Sequence, residues 1–335
     1  MNLTPPIRLA LGASRLLVGL LFIVSGLIKC NDITGFSYKL EEYFNVFEDH
    51  FGLPAAPFVA TSVFQAGFIA VIETVLGLLL LLGLLIRPTA HALLYLIVFF
   101  TFLTGYSWLT NSVTDCGCFG DALKLTPFQS FVKDLVLLVL IGLIFRYRGA
   151  IAPLLPSMPN RAVGLAGSLL FLGYTLYGWH YEPVIDFRPA CVGCDLRHNT
   201  TEADAEGVVK LPDYIPFAET CGQDEFEGQT LLILVKDLEG IAPDDLTTLR
   251  RVAAEAAQLQ IKVMAGTATR TARTKELKAE LQLPFCVHVT DQTLLKTMLR
   301  KQPGYLLLRD GVVVGKWPAT APPQQADLQA RLARS

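Results

Sequence analysis

The sequence predicts a mixed fold, in which a bundle of membrane-spanning α-helices is followed by an α/β domain. Of the 335 residues, 52% are hydrophobic and 17% are charged, whereas an ordinary soluble domain has about 25% charged residues. The apolar excess lies almost entirely in residues 1–181, and residues 186–335 have the composition of a soluble domain. The net charge of −2, without a basic patch of interleaved aromatic residues, argues against nucleic acid as a partner.

Five stretches are apolar enough to cross a bilayer, which takes about 20 residues in a helix. They cover roughly residues 9–28, 63–86, 89–109, 128–146 and 162–181. Membrane lipid is therefore an expected partner. We predict four domains in chain order: four transmembrane helices over 1–150, a fifth transmembrane helix over 151–182, an extracytoplasmic linker over 183–228, and an α/β domain over 229–335.

The charges of the short loops predict the orientation, because cytoplasmic loops carry an excess of lysine and arginine. Basic residues without acidic neighbours mark one side: Arg8, Arg15, Arg87, Arg146, Arg148 and Arg161. Acidic residues dominate the other side: Asp32, Glu41, Glu42, Glu48, Asp49, Asp115 and Asp121. The N-terminus is thus expected in the cytoplasm and the C-terminal domain outside.

All seven cysteines then fall on the outer side, as expected where thiols meet an oxidising compartment. Cys191 and Cys194 have the C-x-x-C spacing of readily exchanging thiols. Cys116 and Cys118 flank one glycine, so a disulfide between them would be strained and easily reduced. Redox exchange is the leading interpretation, with structural disulfides as an alternative. A metal site is disfavoured, because zinc takes about four ligands and no histidine lies within ten residues of this pair.

Ionisable residues also occur inside the predicted spans. Glu73 lies well inside the second span, where an ionisable side chain is costly and marks a candidate functional site. The alternative is a protonated carboxyl group that forms a hydrogen bond with a neighbouring helix. Lys29 near the top of the first span, and Lys133 and Asp134 near the top of the fourth, can extend toward the interface.

Four stretches carry a resemblance to a known family. They read SRLLVGLLFIVSGLIKCNDITGF, IETVLGLLLLLGL, DCGCFGD and PFQSFVKDLVLLVLIGLIF, and over roughly residues 8–147 they resemble the DoxX/MauE group of bacterial membrane proteins. The resemblance implies a four-helix bundle in the bacterial inner membrane, with the outer domain in the periplasm. MauE-like members are linked to the maturation of methylamine dehydrogenase, whose small subunit carries many disulfides.

The same resemblance implies a chemistry. DoxX-type relatives are linked to thiosulfate:quinone oxidation, and the bundle is similar to that of vitamin K epoxide reductase, which passes thiol electrons to a quinone. Carried over by position, Cys116 and Cys118 become the candidate redox pair and a quinone the candidate cofactor. We assign Glu73, Lys29 and Asp134 as its candidate binding residues.

In the outer domain, strand and helix patterns alternate from residue 230 and close on a hairpin at Asp310–Gly311. This order resembles a thioredoxin fold, with Pro303 in the position of the proline before the hairpin. The loop after the first strand, residues 237–240, has no cysteine, so the usual redox motif is missing. For Cys221 and Cys286 we favour a structural role, as disulfide partners or, for Cys286, as a small buried apolar residue.

The sequence therefore leaves two main alternatives for the function. The first is a membrane thiol–disulfide oxidoreductase that passes electrons between client cysteines and a quinone, with Cys116, Cys118, Cys191 and Cys194 as catalytic residues and a periplasmic thiol protein as client. The second is a non-enzymatic anchor whose thioredoxin-like domain docks such a client. A transporter that uses Glu73 is a weaker third, since no inverted repeat or broken helix is visible.

Overall fold

The computed structural model describes residues 4–113, 117–203 and 209–333, in two compact units, Met1–Pro183 and Val184–Ser335. Five helices of the described residues are long and apolar enough to cross a membrane, as predicted. They are α1 (Pro5–Asn31), α4 (Ser62–Leu82), α5 (Ile86–Thr110), α6 (Pro127–Tyr147) and α7 (Ser157–His180). Two further helices, α2 (Ile33–Phe51) and α3 (Ala56–Val59), lie between α1 and α4.

Small residues bring α1 and α4 into close contact. A Cβ atom added at Gly77 would lie 2.7 Å from the carbonyl oxygen of Gly19, and one at Gly26 would lie 2.8 Å from the backbone nitrogen of Thr74. Glycine lets membrane helices approach this closely, which increases van der Waals contact between them. The close packing places the C-terminal half of α1, with Lys29, directly against the middle of α4, with Glu73.

The helix ends follow local signals. Gly83 ends α4 with a φ of 68°, a left-handed conformation that glycine adopts without strain, so the second span is shorter than the predicted 63–86. At the start of α6, Thr126 and Gln129 form a capping box around Pro127 at the first turn, which satisfies backbone N–H groups that a helix start leaves unpaired.

Helix α2 is an element that our sequence analysis did not assign. Asp32 caps its N-terminus, and the Asp32 side chain accepts a hydrogen bond from Gly35 N at 2.8 Å. Gly52 caps its C-terminus with a φ of 67°. Ile33, Phe36 and Tyr43 are buried, and their spacing of three and seven residues places them on one helix face. The charged residues of α2 hid this amphipathic pattern from a search for continuous apolar spans.

The unit Val184–Ser335, called the outer unit after the side of the membrane predicted for it, contains the predicted mixed α/β sheet. Its strands are β1 (Gln229–Val235), β2 (Lys262–Thr267), β3 (Cys286–Val289), β4 (Gly304–Arg309) and β5 (Val312–Trp317), in the spatial order β3-β2-β1-β4-β5. The first three strands are parallel, and β4 and β5 are antiparallel to their neighbours. The helices around it are α8 (Leu196–Thr201), α9 (Ala218–Cys221), α10 (Pro243–Gln258), α11 (Thr271–Glu280), α12 (Gln292–Met298) and α13 (Gln325–Ala333).

The two faces of this sheet carry separate hydrophobic cores. Leu231, Ile233 and Val235 of β1 point into one core, and Leu232 and Leu234 point into the other, because successive side chains of a strand alternate between faces. A buried layer on each face makes this a three-layer α/β unit. The peptide bond between Gln302 and Pro303, just before β4, is cis. The resemblance to thioredoxin stays a prediction.

The stretch predicted as a linker, 183–228, packs onto the sheet in its described residues. Gly193 N donates to Val313 O at 2.7 Å, and Leu196 N donates to Gly311 O at 2.8 Å. Leu196, Phe217 and Phe226 are buried in one of the two sheet cores. Proline and charge made this stretch look like a linker, but its few large apolar side chains are enough to hold it against the sheet.

Candidate functional site

A mostly apolar cavity of about 140 Å³ lies within the membrane unit. Its lining comes from α1, α2, α4, α5, α6 and the loop that contains Cys118. A cavity of about this size with apolar walls can hold a benzene-sized ring. The apolar and aromatic lining residues are Leu21, Phe22, Phe36, Leu40, Tyr43, Phe44, Phe47, Ile69, Ile97, Phe99, Phe100, Leu103, Phe119 and Leu137.

An ion pair lies at the cavity wall. Lys29 Nζ is 2.7 Å from Glu73 Oε2, and the side chains are only 4% and 2% exposed. Glu73 thus directly faces a lysine of the neighbouring helix α1. Charges buried in this way are costly unless they are paired, so Lys29 and Glu73 each depend on the other.

The same lysine holds the backbone of the cysteine loop. Lys29 Nζ donates to Cys118 O at 3.0 Å and to Ser25 Oγ at 2.7 Å. The Ser25 hydroxyl lies 2.9 Å from Cys118 O and 3.1 Å from Glu73 Oε2, and it has one proton to donate. The position of Cys118 is thus coupled directly to the ion pair.

The second carboxylate oxygen of Glu73, Oε1, takes no part in these contacts. Glu73 Oε1 is buried and has no hydrogen-bond partner among the described residues, although Glu73 lines the cavity. Buried carboxylate oxygens almost always accept a hydrogen bond, and an exception needs an explanation. This atom offers an acceptor to a ligand that brings an O–H or N–H group into the cavity.

A second charged pair lines the cavity from α6. Lys133 Nζ contacts Asp134 Oδ1, and Thr104 Oγ1 donates to Asp134 Oδ2 at 3.0 Å. Asp134 is 1% exposed, and Lys133 Nζ lies 5.9 Å from the centre of the Phe119 ring. The structure thus brings the three predicted cofactor-binding residues, Glu73, Lys29 and Asp134, to one cavity together with Cys118.

Gly117 shapes the cysteine loop. It has a φ of 65°, and a Cβ atom there would lie 3.0 Å from Lys39 Cγ and 3.8 Å from Phe36 Cδ2. Only glycine combines this backbone conformation with such a close approach to α2 at little cost. Cys116 lies outside the described residues, so its pairing with Cys118 stays a prediction.

The other cysteines lie elsewhere. Cys191 and Cys194 form a disulfide in the stretch that joins β5 through Gly193 N and Cys194 O. Cys221 and Cys286 form a second disulfide, as the structural interpretation predicts. Cys30 is buried and accepts a hydrogen bond from Thr175 Oγ1 at 3.1 Å.

Sequence reasoning missed the contribution of α2 and of Ser25. From α2, the residues Phe36, Lys39, Leu40, Tyr43, Phe44 and Phe47 line the cavity. A signal was present, because aromatic residues recur along α2 at helical spacing. Ser25 precedes Lys29 by one helical turn, so both lie on one face of α1.

The described fold and site define a multi-pass membrane protein with disulfide-bonded cysteines. Residues 7–147 match the family model described as methylamine utilisation protein MauE, which confirms the resemblance predicted for the first four membrane helices. The chain is also similar to protein TlpB of Flavobacterium psychrophilum, with 29% identity over 134 residues. That alignment covers 39% of this chain and 35% of TlpB, so it spans about a third of the relative's length.

No solved structure matches the chain. The membrane helices, the disulfides and these two similarities identify a membrane protein related to thiol–disulfide chemistry.

Proposed function

We propose that this protein is a thiol–disulfide oxidoreductase of the bacterial inner membrane that passes electrons between cysteines and a quinone through Cys116 and Cys118. One observation carries the proposal. Cys118 lines an apolar, ring-sized cavity whose wall also holds the Lys29–Glu73 ion pair, and Lys29 donates directly to the Cys118 carbonyl oxygen. A cysteine, a ring-sized apolar cavity and a buried ion pair thus lie side by side, which supports the proposal.

The chemistry balances without a further co-reactant. A dithiol of a client protein reduces a Cys116–Cys118 disulfide by thiol–disulfide exchange, and the client becomes the disulfide. The reduced pair then closes again to a disulfide and gives two electrons and two protons to the quinone, which becomes a quinol. The net reaction oxidises two client thiols and reduces one quinone.

The charges around the cavity suit both steps. A thiolate is the attacking species in exchange, and a nearby lysine favours it over the thiol. Lys29 and Lys133 both line the cavity together with Cys118. Negative charge that develops on the quinone oxygens during reduction would be stabilised by the same ammonium groups in an environment with little water.

The sidedness of the reaction follows from the loop charges in our proposal. The cysteine loop and the outer unit face the periplasm, where the client is a thiol protein that receives or loses a disulfide. Cys191 and Cys194, on an irregular segment beside β5, are proposed to relay electrons between that client and Cys116–Cys118. The description of the matching family, methylamine utilisation, makes an enzyme of amine oxidation a candidate client.

The test uses the full-length protein in lipid nanodiscs, with dithiothreitol as thiol donor and a short-chain ubiquinone as acceptor. Quinone absorbance reports the rate. The Cys116→Ser/Cys118→Ser double variant is expected to reduce quinone no faster than empty nanodiscs do, because it removes the proposed redox pair.

The matched control is the Cys191→Ser/Cys194→Ser variant, which removes the same number of sulfur atoms. It is expected to keep the unsubstituted rate with dithiothreitol, since a small thiol needs no relay. If the Cys116→Ser/Cys118→Ser variant reduces quinone as fast as the unsubstituted protein, the redox proposal is wrong and the anchor function takes its place.

A further inference from the structure

The cavity reaches the outer surface of the helix bundle at Phe99. Among the lining residues in the described ranges, Phe99 alone is exposed, with half of its surface accessible, whereas Ile97 and Leu103 on the same helix are buried. Its ring therefore forms part of the cavity wall on one side and part of the bundle surface on the other.

That surface faces lipid. Phe99 lies 11 residues before the end of α5 at Thr110 and 13 residues after its start at Ile86, which corresponds to about 16 Å and about 20 Å of helix. The hydrocarbon core of a bilayer is about 30 Å thick, so a residue at mid-helix is surrounded by acyl chains. The opening at Phe99 leads into the bilayer and not into water.

The cavity wall around Glu73 is polar. Glu73 on α4 lies 11 residues from the helix start at Ser62, the same distance along the axis as Phe99 from Thr110 on α5. Its Oε1 atom is buried without a hydrogen-bond partner in the described part of the chain. Lys29 directs its three N–H donors to Ser25, Glu73 and Cys118, so these contacts leave Lys29 no further N–H for Glu73 Oε1.

We propose that the cavity binds the head ring of a membrane quinone whose long apolar tail extends into the bilayer past Phe99, with a hydroxyl of the quinol donating to Glu73 Oε1. The inference rests on the proposed function and adds the route by which the quinone enters and the residue that recognises its reduced form. The ring-sized apolar chamber fits the head ring, the lipid-facing opening fits the apolar tail, and the unpartnered Glu73 Oε1 fits a hydroxyl of the quinol.

The recognition step has a direct consequence for the reaction. The quinone has no hydroxyl group and leaves Glu73 Oε1 unpaired, while the quinol satisfies it. Binding is therefore stronger for the product of reduction than the apolar walls alone would give, because a buried unpaired acceptor is costly. Glu73 acts here as a binding group at the oxygen that receives the proton, while the two electrons come from the Cys116–Cys118 dithiol.

The test compares two neighbouring positions on α5 in nanodiscs. Phe99 and Val98 are both about half exposed on the bundle surface, but only Phe99 lines the cavity. With a long-chain ubiquinone and dithiothreitol, Phe99→Trp is expected to raise KM about tenfold by overfilling the opening. Val98→Trp is expected to leave KM unchanged.

The short-chain ubiquinone separates the two proposals. With this acceptor, which has little tail to accommodate, Phe99→Trp is expected to change KM by a much smaller factor. If Phe99→Trp affects both quinones equally, or if Val98→Trp raises KM as much, entry past Phe99 is wrong while the oxidoreductase proposal stands. If the unsubstituted protein reduces neither quinone, the proposed function itself is wrong.

The role of Glu73 has its own measurement. Glu73→Gln keeps one acceptor oxygen and the side-chain shape, and tryptophan quenching by the quinol and the quinone reports their affinities. The unsubstituted protein is expected to bind the quinol more tightly than the quinone, and Glu73→Gln is expected to reduce that ratio. Equal affinities for the two forms in the unsubstituted protein would overturn the assignment of Glu73 Oε1.

Discussion

Each unit of the protein holds a carboxylate that contacts buried cations. In the outer unit both carboxylate oxygens have partners, which we call a closed cluster, whereas in the membrane unit one oxygen has none among the described residues, which we call an open pair. In the outer unit, Asp186 accepts from Arg188 Nε at 2.6 Å and Arg188 Nη2 at 2.9 Å, and Lys316 Nζ lies 2.6 Å from Asp186 Oδ2. Both oxygens of this carboxylate are satisfied. In the membrane unit, Glu73 uses one oxygen for Lys29 and Ser25, and its other oxygen is unpaired at a cavity wall.

The cysteines of the two units also lie in different surroundings. In the outer unit, Cys191–Cys194 and Cys221–Cys286 are closed disulfides, whereas Cys118 of the membrane unit lines a cavity beside a charged pair. A carboxylate whose two oxygens both have partners contributes to stability, while a carboxylate with an unpartnered oxygen at a cavity wall is a candidate site. Burial without a hydrogen-bond partner is costly for a polar group in either unit. The unpartnered Glu73 Oε1 therefore indicates a candidate binding site.

The largest effect is expected at the open pair. Lys29→Met would leave the Glu73 carboxylate buried without its ammonium partner, which costs about 3–5 kcal/mol. The Lys29→Met/Glu73→Leu double variant should recover most of that loss, because an apolar pair of similar volume needs no charge compensation. Unfolding of the full chain in detergent, followed by tryptophan fluorescence during a titration with sodium dodecyl sulfate, would measure both.

The closed cluster supplies the comparison for this variant. Lys316→Met removes one cation from Asp186 but leaves the contact with Arg188 in place, so a smaller loss is expected than for Lys29→Met. Equal losses of unfolding free energy for Lys29→Met and Lys316→Met would contradict the expected difference between the Glu73 pair and the Asp186 cluster.

The next effect concerns the two disulfides of the outer unit. Cys221 and Cys286 are 65 residues apart, and Cys191 and Cys194 are 3 apart. In the chain-entropy description, the longer closed loop stabilises more, so Cys221→Ala/Cys286→Ala should cost about 2–4 kcal/mol. Cys191→Ala/Cys194→Ala should cost less than half of that, which would suit a bond that opens in exchange.

Pulse proteolysis of the full chain in urea would measure these losses in the outer unit without separating it from the membrane unit. A greater loss for the Cys191→Ala/Cys194→Ala variant would assign that pair a structural role and remove it from the proposed relay.

A smaller effect is expected in the cysteine loop. Gly117→Ala places a Cβ atom in a left-handed conformation, which costs about 1–2 kcal/mol for residues other than glycine, and 3.0 Å from Lys39 Cγ. We expect slower quinone reduction together with a lower unfolding midpoint. Gly142→Ala on α6 is the control, because no atom lies within 4 Å of its added Cβ and alanine favours a helix. Equal behaviour of the two variants would contradict a constrained loop.

The smallest effect is the pH dependence of the closed cluster. Burial raises the pKa of Asp186, but the positive charges of Arg188 and Lys316 together lower it by more, so its pKa lies below the ordinary value. The unfolded chain then takes up the proton first as the pH falls below about 4, and the stability of the outer unit falls with it. Asp186→Asn should remove this part of the acid sensitivity, measured as the urea midpoint of pulse proteolysis at pH 5 and pH 3. An unchanged slope would contradict the assignment.

Much of this architecture could be predicted from the sequence. Continuous apolar runs predicted the five spans, alternating patterns predicted the sheet of the outer unit, and Asp310–Gly311 predicted its hairpin. Asp291 is of a residue type favoured at helix N-caps; it precedes α12, and its side chain accepts from Thr293 N at 2.7 Å. These features depend on residues close together in the chain, where periodicity and turn chemistry act.

The rest depends on contacts between distant residues. Nothing near Lys29 in the sequence shows that it pairs with Glu73 or that it holds the Cys118 carbonyl oxygen 89 positions away. The packing of residues 184–203 and 209–228 onto the sheet and the role of α2 in the cavity were missed for the same reason.

By itself, the sequence determined which segments enter the membrane and which residue types are costly there, because transfer of a side chain into lipid depends mainly on its own chemistry. Only the tertiary structure decided that Glu73, Lys29, Asp134 and Cys118 meet at one cavity and that Glu73 Oε1 has no hydrogen-bond partner among the described residues. The physical reason is that hydrogen bonds and ion pairs act over a few ångströms in space, and close packing of α1 against α4 through glycine sets those distances.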